Sequence, residues 1–412
     1  MEAINDNPTN EEYEELSSTS PSNDLSDEDD LLIPQTLKKL KTSINEIEKC
    51  KENLNEFLDQ EFSSLNSVNS LLKKIEKLKA ININLNGKSI NEEGLKLLTK
   101  FKFSNNIVEL KLSKNNLDDN SLKHFSGSKL LSNLQKLDLS SNFITSIGIK
   151  YMLPLEENDE FSDLNELILK SNKIDVQGIV YLSNNTYLSN LTKLDLSDNN
   201  IDDDCLEVLK QNYANMKNLK CLNLNRNYIT YVGVDYLCSS QLLPHITKLN
   251  LSSNKKIGNE GVRKLTRSLG SRNLEYLNLK NCQIDNDGVK YILKTKNFGK
   301  LKYLDLGENK LRSNIYEEFA DCDNLENLRY ISFKFNNIIN KALKSFRKIY
   351  EKMEYINLSH NKISNEGVGY ILQDLNELPE ELIRSVKINL KYNVDITFKK
   401  IEMLELYEQI IV

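Results

Sequence analysis

"NLQKLDLSSNFITSIGIKYM", residues 133–152, returns as "NLTKLDLSDNNIDDDCLEVL" from Asn190, "NLKCLNLNRNYITYVGVDYL" from Asn218 and "NLEYLNLKNCQIDNDGVKYI" from Asn273. Inside each copy the spacing is that of a short strand. Leu137 and Leu139 alternate with Lys136, Asp138 and Ser140, so one face is apolar and the other wet. A lone strand of this kind cannot bury its leucines, but stacking on identical neighbours builds a continuous parallel sheet. The pattern after the Asn is different. An apolar residue (Ile144, Ile174, Ile201, Ile229) and then a Gly (Gly148, Gly178, Gly233) lead into helical spacing such as "GVDYL".

Aligning the chain on the Asn of "LxxLxLxxN" gives Asn115, Asn142, Asn172, Asn199, Asn227, Asn254, Asn309, Asn336, Asn361 and Asn393, with Lys88 and Cys282 in the same register. That makes twelve units, mostly 27 or 28 residues apart, the last one degenerate. Repeats of this length turn several apparent domains into one array. The Asn is expected to turn the chain inward, its donor and acceptor groups satisfying backbone that would otherwise be buried unpaired. Cys282 is read as a tolerated replacement at this place rather than as a redox site.

The expected fold class is α/β: a solenoid with a parallel sheet on its concave side and helices outside. The expected boundaries are an acidic disordered tail at 1–30, a helical N-terminal cover at 31–79, the repeats at 80–395 and a capping helix at 396–412. Net charge is −6, yet residues 1–30 hold eleven Asp or Glu and no Lys or Arg, which leaves +5 on the rest. Within the tail, Ser26 precedes Asp27, Glu28, Asp29 and Asp30 and is a candidate phosphorylation site. In the cover, Leu37, Leu40, Ile44, Ile47, Leu54 and Leu58 fall at helical spacing.

The motif "LxxLxLxxN" followed by "NxIxxxGVxxL" resembles the ribonuclease-inhibitor-like class of leucine-rich repeats. That class also includes the Ran GTPase-activating proteins and the repeat domains of NOD-like receptors. The resemblance covers roughly residues 80–395 and implies a horseshoe that binds other proteins on its concave face, without specifying which. It leaves a small GTPase as an alternative partner, with the chain as its activator. Against that, the acidic stretch here precedes the repeats, whereas in the activators it follows them, and no arginine occurs before Arg226.

No catalytic or metal-binding constellation is legible. His124, His245 and His360 lie in different repeats, and no phosphate-cradling GxxxxGK[ST] or GxGxxG occurs. "DNNIDDDC", 198–205, lacks calcium-loop spacing, and its acids read as turn decoration. No enzyme activity, cofactor or metal is expected. Six scattered cysteines, the absence of a signal-like start and the absence of a long apolar run suggest a monomeric cytoplasmic or nuclear protein off the membrane.

Function is then expected at wet strand positions that packing does not dictate. The residue before the second strand leucine becomes Tyr276, Tyr303, Tyr330 and Tyr355 in four consecutive units. Asp305, Lys280 and Lys334 stand nearby, with Phe335 and His360 at the strand exits. Such a row suits protein binding, since tyrosine gives apolar area and a hydroxyl at little entropic cost. The competing account is packing between repeats, with the rings shielding one another. Nucleic acid is disfavoured, because Asp305 and Glu308 interrupt the stripe and no basic run accompanies it.

Overall fold

The computed structural model describes residues 81–100, 107–126, 128, 130–131, 133–153, 163–312, 314–320, 322–350, 352–377, 386–393, 396–397 and 410–411. The expected acidic tail with Ser26 and the helical cover lie outside these residues. Contacts divide the chain into Met1–Phe57 and Leu58–Val412, and every described residue belongs to the second unit.

Thirteen parallel strands form one sheet in strict sequence order. They are β1 (Ile81–Asn84), β2 (Ile107–Lys111), β3 (Lys136–Asp138), β4 (Glu166–Ile168), β5 (Lys193–Asp195), β6 (Cys221–Asn223), β7 (Lys248–Asn250), β8 (Tyr276–Asn278), β9 (Tyr303–Asp305), β10 (Tyr330–Ser332), β11 (Tyr355–Asn357), β12 (Lys387–Asn389) and β13 (Ile410–Ile411). α- or 3₁₀-helical segments follow most strands, and the sheet does not close on itself. The fold is the expected α/β leucine-rich-repeat solenoid. Register follows the sequence alignment: Leu137 pairs with Leu167, Leu194 with Leu222, and Ile331 with Ile356. These central residues are 0–1% exposed and make the core with the helix residues behind them.

The ladder asparagines do what their two-sided chemistry allows. Asn142 Oδ1 accepts from the backbone N–H groups of Asn115 (3.1 Å) and Leu117 (3.0 Å), one unit earlier. Its Nδ2 donates to the carbonyls of Leu112 (3.0 Å) and Leu139 (2.9 Å). One buried side chain thereby satisfies four backbone groups that water cannot reach.

Cys282 breaks this ladder, and the unit before it compensates. Its thiol reaches the Leu251 carbonyl at 3.3 Å but offers no amide oxygen. The seventh unit, "NKKIGNEG", has one residue more between its Asn and the recurring helix glycine (Gly261) than "NYITYVG" has (Gly233). Ile257 N–H therefore turns back to the Asn254 carbonyl (3.1 Å), and Gly258, at φ +54°, donates to the Cys282 carbonyl at 2.9 Å. An added Cβ at Gly258 would meet nothing within 4 Å, so backbone conformation and not space calls for glycine here.

The helix-initiating glycines answer the other demand, close approach. Gly233 N–H donates to Asp203 Oδ1 at 2.9 Å, and a Cβ on Gly233 would collide with that oxygen. Asp203 also accepts from Thr230 N (2.8 Å) and Thr230 Oγ1 (2.6 Å), so the acidic cluster at 198–205 knits adjacent units together.

The expected capping helix at 396–412 falls mostly outside the described residues. Its end differs from expectation: Ile410–Ile411 form β13, paired with Ile388 and Asn389. The open edge of β12 presents unpaired backbone groups, and an extended segment satisfies them where a helix could not.

Candidate functional site

Pairing sets Tyr276 against Tyr303, Tyr303 against Tyr330 and Tyr330 against Tyr355, then Tyr355 against Lys387. The four rings stack face to face, with centroids 4.2, 4.1 and 4.8 Å apart and planes tilted by 16°, 12° and 5°. Tyr303, clasped on both sides, is buried at 8% exposure, while Tyr276, Tyr330 and Tyr355 are half-buried. The mutual shielding is thus real, and the expectation that Tyr303 is a wet position is corrected. Burial, with the Asp305 carboxylate second, holds its hydroxyl pKa far above the usual tyrosine range.

Asp305 is corrected in the same way. It is buried, its Oδ1 accepting the Gly307 N–H at 2.8 Å. Burial pushes its carboxyl pKa up, opposed by the Gly307 bond, the Ser332 hydroxyl and the Lys280 charge. The reason is visible along the whole sheet. Asn223, Asn250, Asn278, Asn357 and Asn389, one per strand at this place, each accept the N–H two residues on at 2.9–3.1 Å. The Asp/Asn row caps the strand exits and is not free to read a partner.

Beside it runs a second row. The residue before each ladder position has φ of 53–63° in all twelve units, so the left-handed turn belongs to the scaffold. In earlier units it is occupied by Gly87, Ser141, Ser171, Asp198, Ser253 or Asn281, among others. The last three carry Phe335, His360 and Tyr392. Bulky side chains are the least suited to this conformation, at a cost of about 1–2 kcal/mol each relative to Gly.

These three rings also stack, Phe335 on His360 at 3.9 Å and 19°, and His360 on Tyr392 at 4.3 Å and 21°. Each contact returns only about 0.5–1.5 kcal/mol. Phe335 remains 44% and Tyr392 70% exposed, with His360 half-buried between them. Partial burial, then the Lys334 ammonium, lowers the His360 pKa, opposed by Glu308.

Of the expected lysines, Lys334 lies 5.4 Å from the Phe335 ring centroid, and Lys280 pairs with Glu308 at 3.0 Å. Tyr392 was missed at sequence level, although the register of "KYN", 391–393, gives it away once the left-handed position is known to recur. Among the described residues no cluster of three or more His, Cys, Asp or Glu could hold a metal ion, and no helix is long and apolar enough to cross a membrane.

The family model "Leucine Rich repeat" matches residues 131–153, 187–209, 215–238, 243–265, 270–293 and 351–372. It does not single out the ribonuclease-inhibitor-like class. No curated protein matches. Similar solved structures include an internalin from Listeria monocytogenes, 20% identical, covering 82% of this chain and 88% of that one, with a TM-score of 0.45. Another is the yeast Rad7–Elc1 complex, 15% identical over 89% of this chain and 96% of that one, at 0.44. The mouse RP105/MD-1 complex is 16% identical over 81% and 57%, at 0.41.

Proposed function

We propose that this leucine-rich-repeat protein is a non-enzymatic interaction scaffold that holds a protein partner on the open face of its sheet, over β8–β12. One observation carries the reading: among the described residues, aromatic side chains occupy the open-face strand positions and the left-handed exit position only in the last five units. Tyr276, Tyr330 and Tyr355 form one line, and Phe335, His360 and Tyr392 form the other. The leucine core beneath would be as complete with lysine above it, as the flanking Lys248 and Lys387 at the tyrosine position show. Pre-stacked rings bind with little further loss of side-chain entropy, the feature that makes aromatic residues frequent binding hot spots.

The test uses that internal precedent. Tyr276→Lys/Tyr355→Lys converts the ends of the row to the residue borne by the adjoining units. Capture of proteins from the native cell extract is compared quantitatively between the full-length chain and this variant, with thermal unfolding as a control on folding. Loss of one discrete partner at unchanged stability supports the site. Identical captured sets exclude the tyrosine row.

A further inference from the structure

We infer that the rail formed by Phe335, His360 and Tyr392, with Lys334 and Lys391 next to its ends in sequence, docks an acidic, extended peptide segment of the partner. The inference rests on the protein-binding reading and specifies the chemistry of what is bound.

Charge is the first argument. In the three units of β10–β12, the positions on the open face are Tyr330, Ser332, Lys334 and Phe335, then Tyr355, Asn357, Ser359 and His360, then Lys387, Asn389, Lys391 and Tyr392. Three lysines stand among them and no carboxylate. In β2–β5 the same positions mix signs, as with Glu109, Lys111 and Lys114, or Lys193, Asp195 and Asp198, and β9 carries Asp305 and Glu308; β6–β8 hold Arg226, Lys248 and Lys280 without an acid but lack the exit-row rings. The nearest acid on the β9 side, Glu308, is engaged by Lys280 at 3.0 Å. Glu354 lies at the other, strand-entry end, where its backbone N–H donates to the Arg329 carbonyl of the neighbouring unit at 2.7 Å.

Ring geometry is the second. With centroids 3.9 and 4.3 Å apart and near-parallel planes, the inner faces are taken by the neighbouring rings. Between the rings the surface left to a partner is ring edge, where the aromatic quadrupole is positive; only the outer faces at the two ends of the stack lack a ring neighbour in it. Edges and ammonium groups together favour carboxylates. The same stacking closes the two gaps between the rings to a nucleobase, which leaves successive bases of a single strand no row of platforms to stack on.

Reach is the third. Lys334 and Lys391 stand two strand steps apart, roughly 9–10 Å, a length that about three residues of extended chain cover. Acidic side chains two or three places apart can then meet both lysines while intervening residues lie along the rings.

The experiment is a selection of random peptides displayed on phage against the immobilised full-length chain. A counter-screen uses Phe335→Asn/Tyr392→Asn, since Asn tolerates the left-handed turn and leaves the fold unstrained. A synthetic peptide from the enriched pool is then measured by fluorescence anisotropy, beside an oligothymidylate of similar length. The expected pool is rich in Asp and Glu. Its affinity should fall about tenfold or more in Phe335→Asn/Tyr392→Asn and in Lys334→Ala/Lys391→Ala, and should weaken as salt rises. Melting temperatures should hold. A pool without acidic enrichment, equal binding to all variants, or tighter rail-dependent binding of the oligothymidylate would overturn the assignment. None of these outcomes removes partner capture through Tyr276 and Tyr355, which the preceding experiment reads separately.

Discussion

Replacing Tyr303 with Ala separates the packing role of the tyrosine row from its docking role. Tyr303 is the one ring of the row that is buried, with neighbours at 4.2 and 4.1 Å on its two faces. Truncating a buried aromatic side chain costs about 3–5 kcal/mol when the cavity stays open. Here the void would border the open face and admit water, so about 3 kcal/mol is expected. Tyr276 has one stacked neighbour and a half-buried ring. Tyr276→Ala should therefore cost about 1 kcal/mol, one lost ring pair plus partial burial. Urea unfolding followed by far-ultraviolet circular dichroism reads both variants, with the slope checked because repeat arrays can lose cooperativity. Near-ultraviolet dichroism should lose intensity in Tyr303→Ala as the stack is broken. Equal costs at the two positions, or a cost below about 1 kcal/mol at Tyr303, would refute the view that the row is a shared packing spine.

Further outcomes follow from the same geometry. Asp305→Asn keeps the oxygen that accepts from Gly307 and removes a buried charge, as Asn278 and Asn357 do in neighbouring strands, so the variant should gain about 1 kcal/mol at neutral pH. Because the folded pKa of Asp305 lies above 3.8, the native state keeps a proton that the unfolded chain releases; wild-type stability should fall relative to Asp305→Asn as pH rises through that window, read by denaturation at stepped pH. For His360 the sign is reversed: its folded pKa is depressed, so its contribution is present above pH 6.5 and lost as pH falls through the folded value, and His360→Asn should flatten that acid-side loss. Asn254→Ala strands the backbone groups of Ile229, Leu224 and Leu251 and should cost about 3–5 kcal/mol, against about 1 kcal/mol for Cys282→Ala, both by urea unfolding; burial pushes the Cys282 thiol up to about 12, so it should resist iodoacetamide at pH 8 until the chain unfolds.

The sequence alone determined the scaffold. Period-two leucines, an Asn in most units at steps of mostly 27 or 28 residues and a Gly in the first helical turn of many units are local signals repeated until no other fold satisfies them, and register followed because each unit pairs with its own copy. The seventh unit's extra residue and Cys282 were equally legible, but their mutual dependence was not, since the carbonyl of one unit meets the Gly258 amide of the other only after stacking. The tyrosine row was legible as a row. Which of its members stays wet was decided by tertiary structure, because exposure depends on two neighbours at once: Tyr303 has both and is buried.

Asp305 was misjudged for a related reason. Alternation assigns it to the outer face, while its carboxyl turns back to cap the strand, a choice made by backbone geometry two residues on. Tyr392, Phe335 and His360 share a left-handed turn that no residue type announces, since serine, arginine and phenylalanine all occupy it. Local pattern thus fixes what repeats by symmetry. The stack gathers side chains from separate turns, and with them the surface a partner can meet.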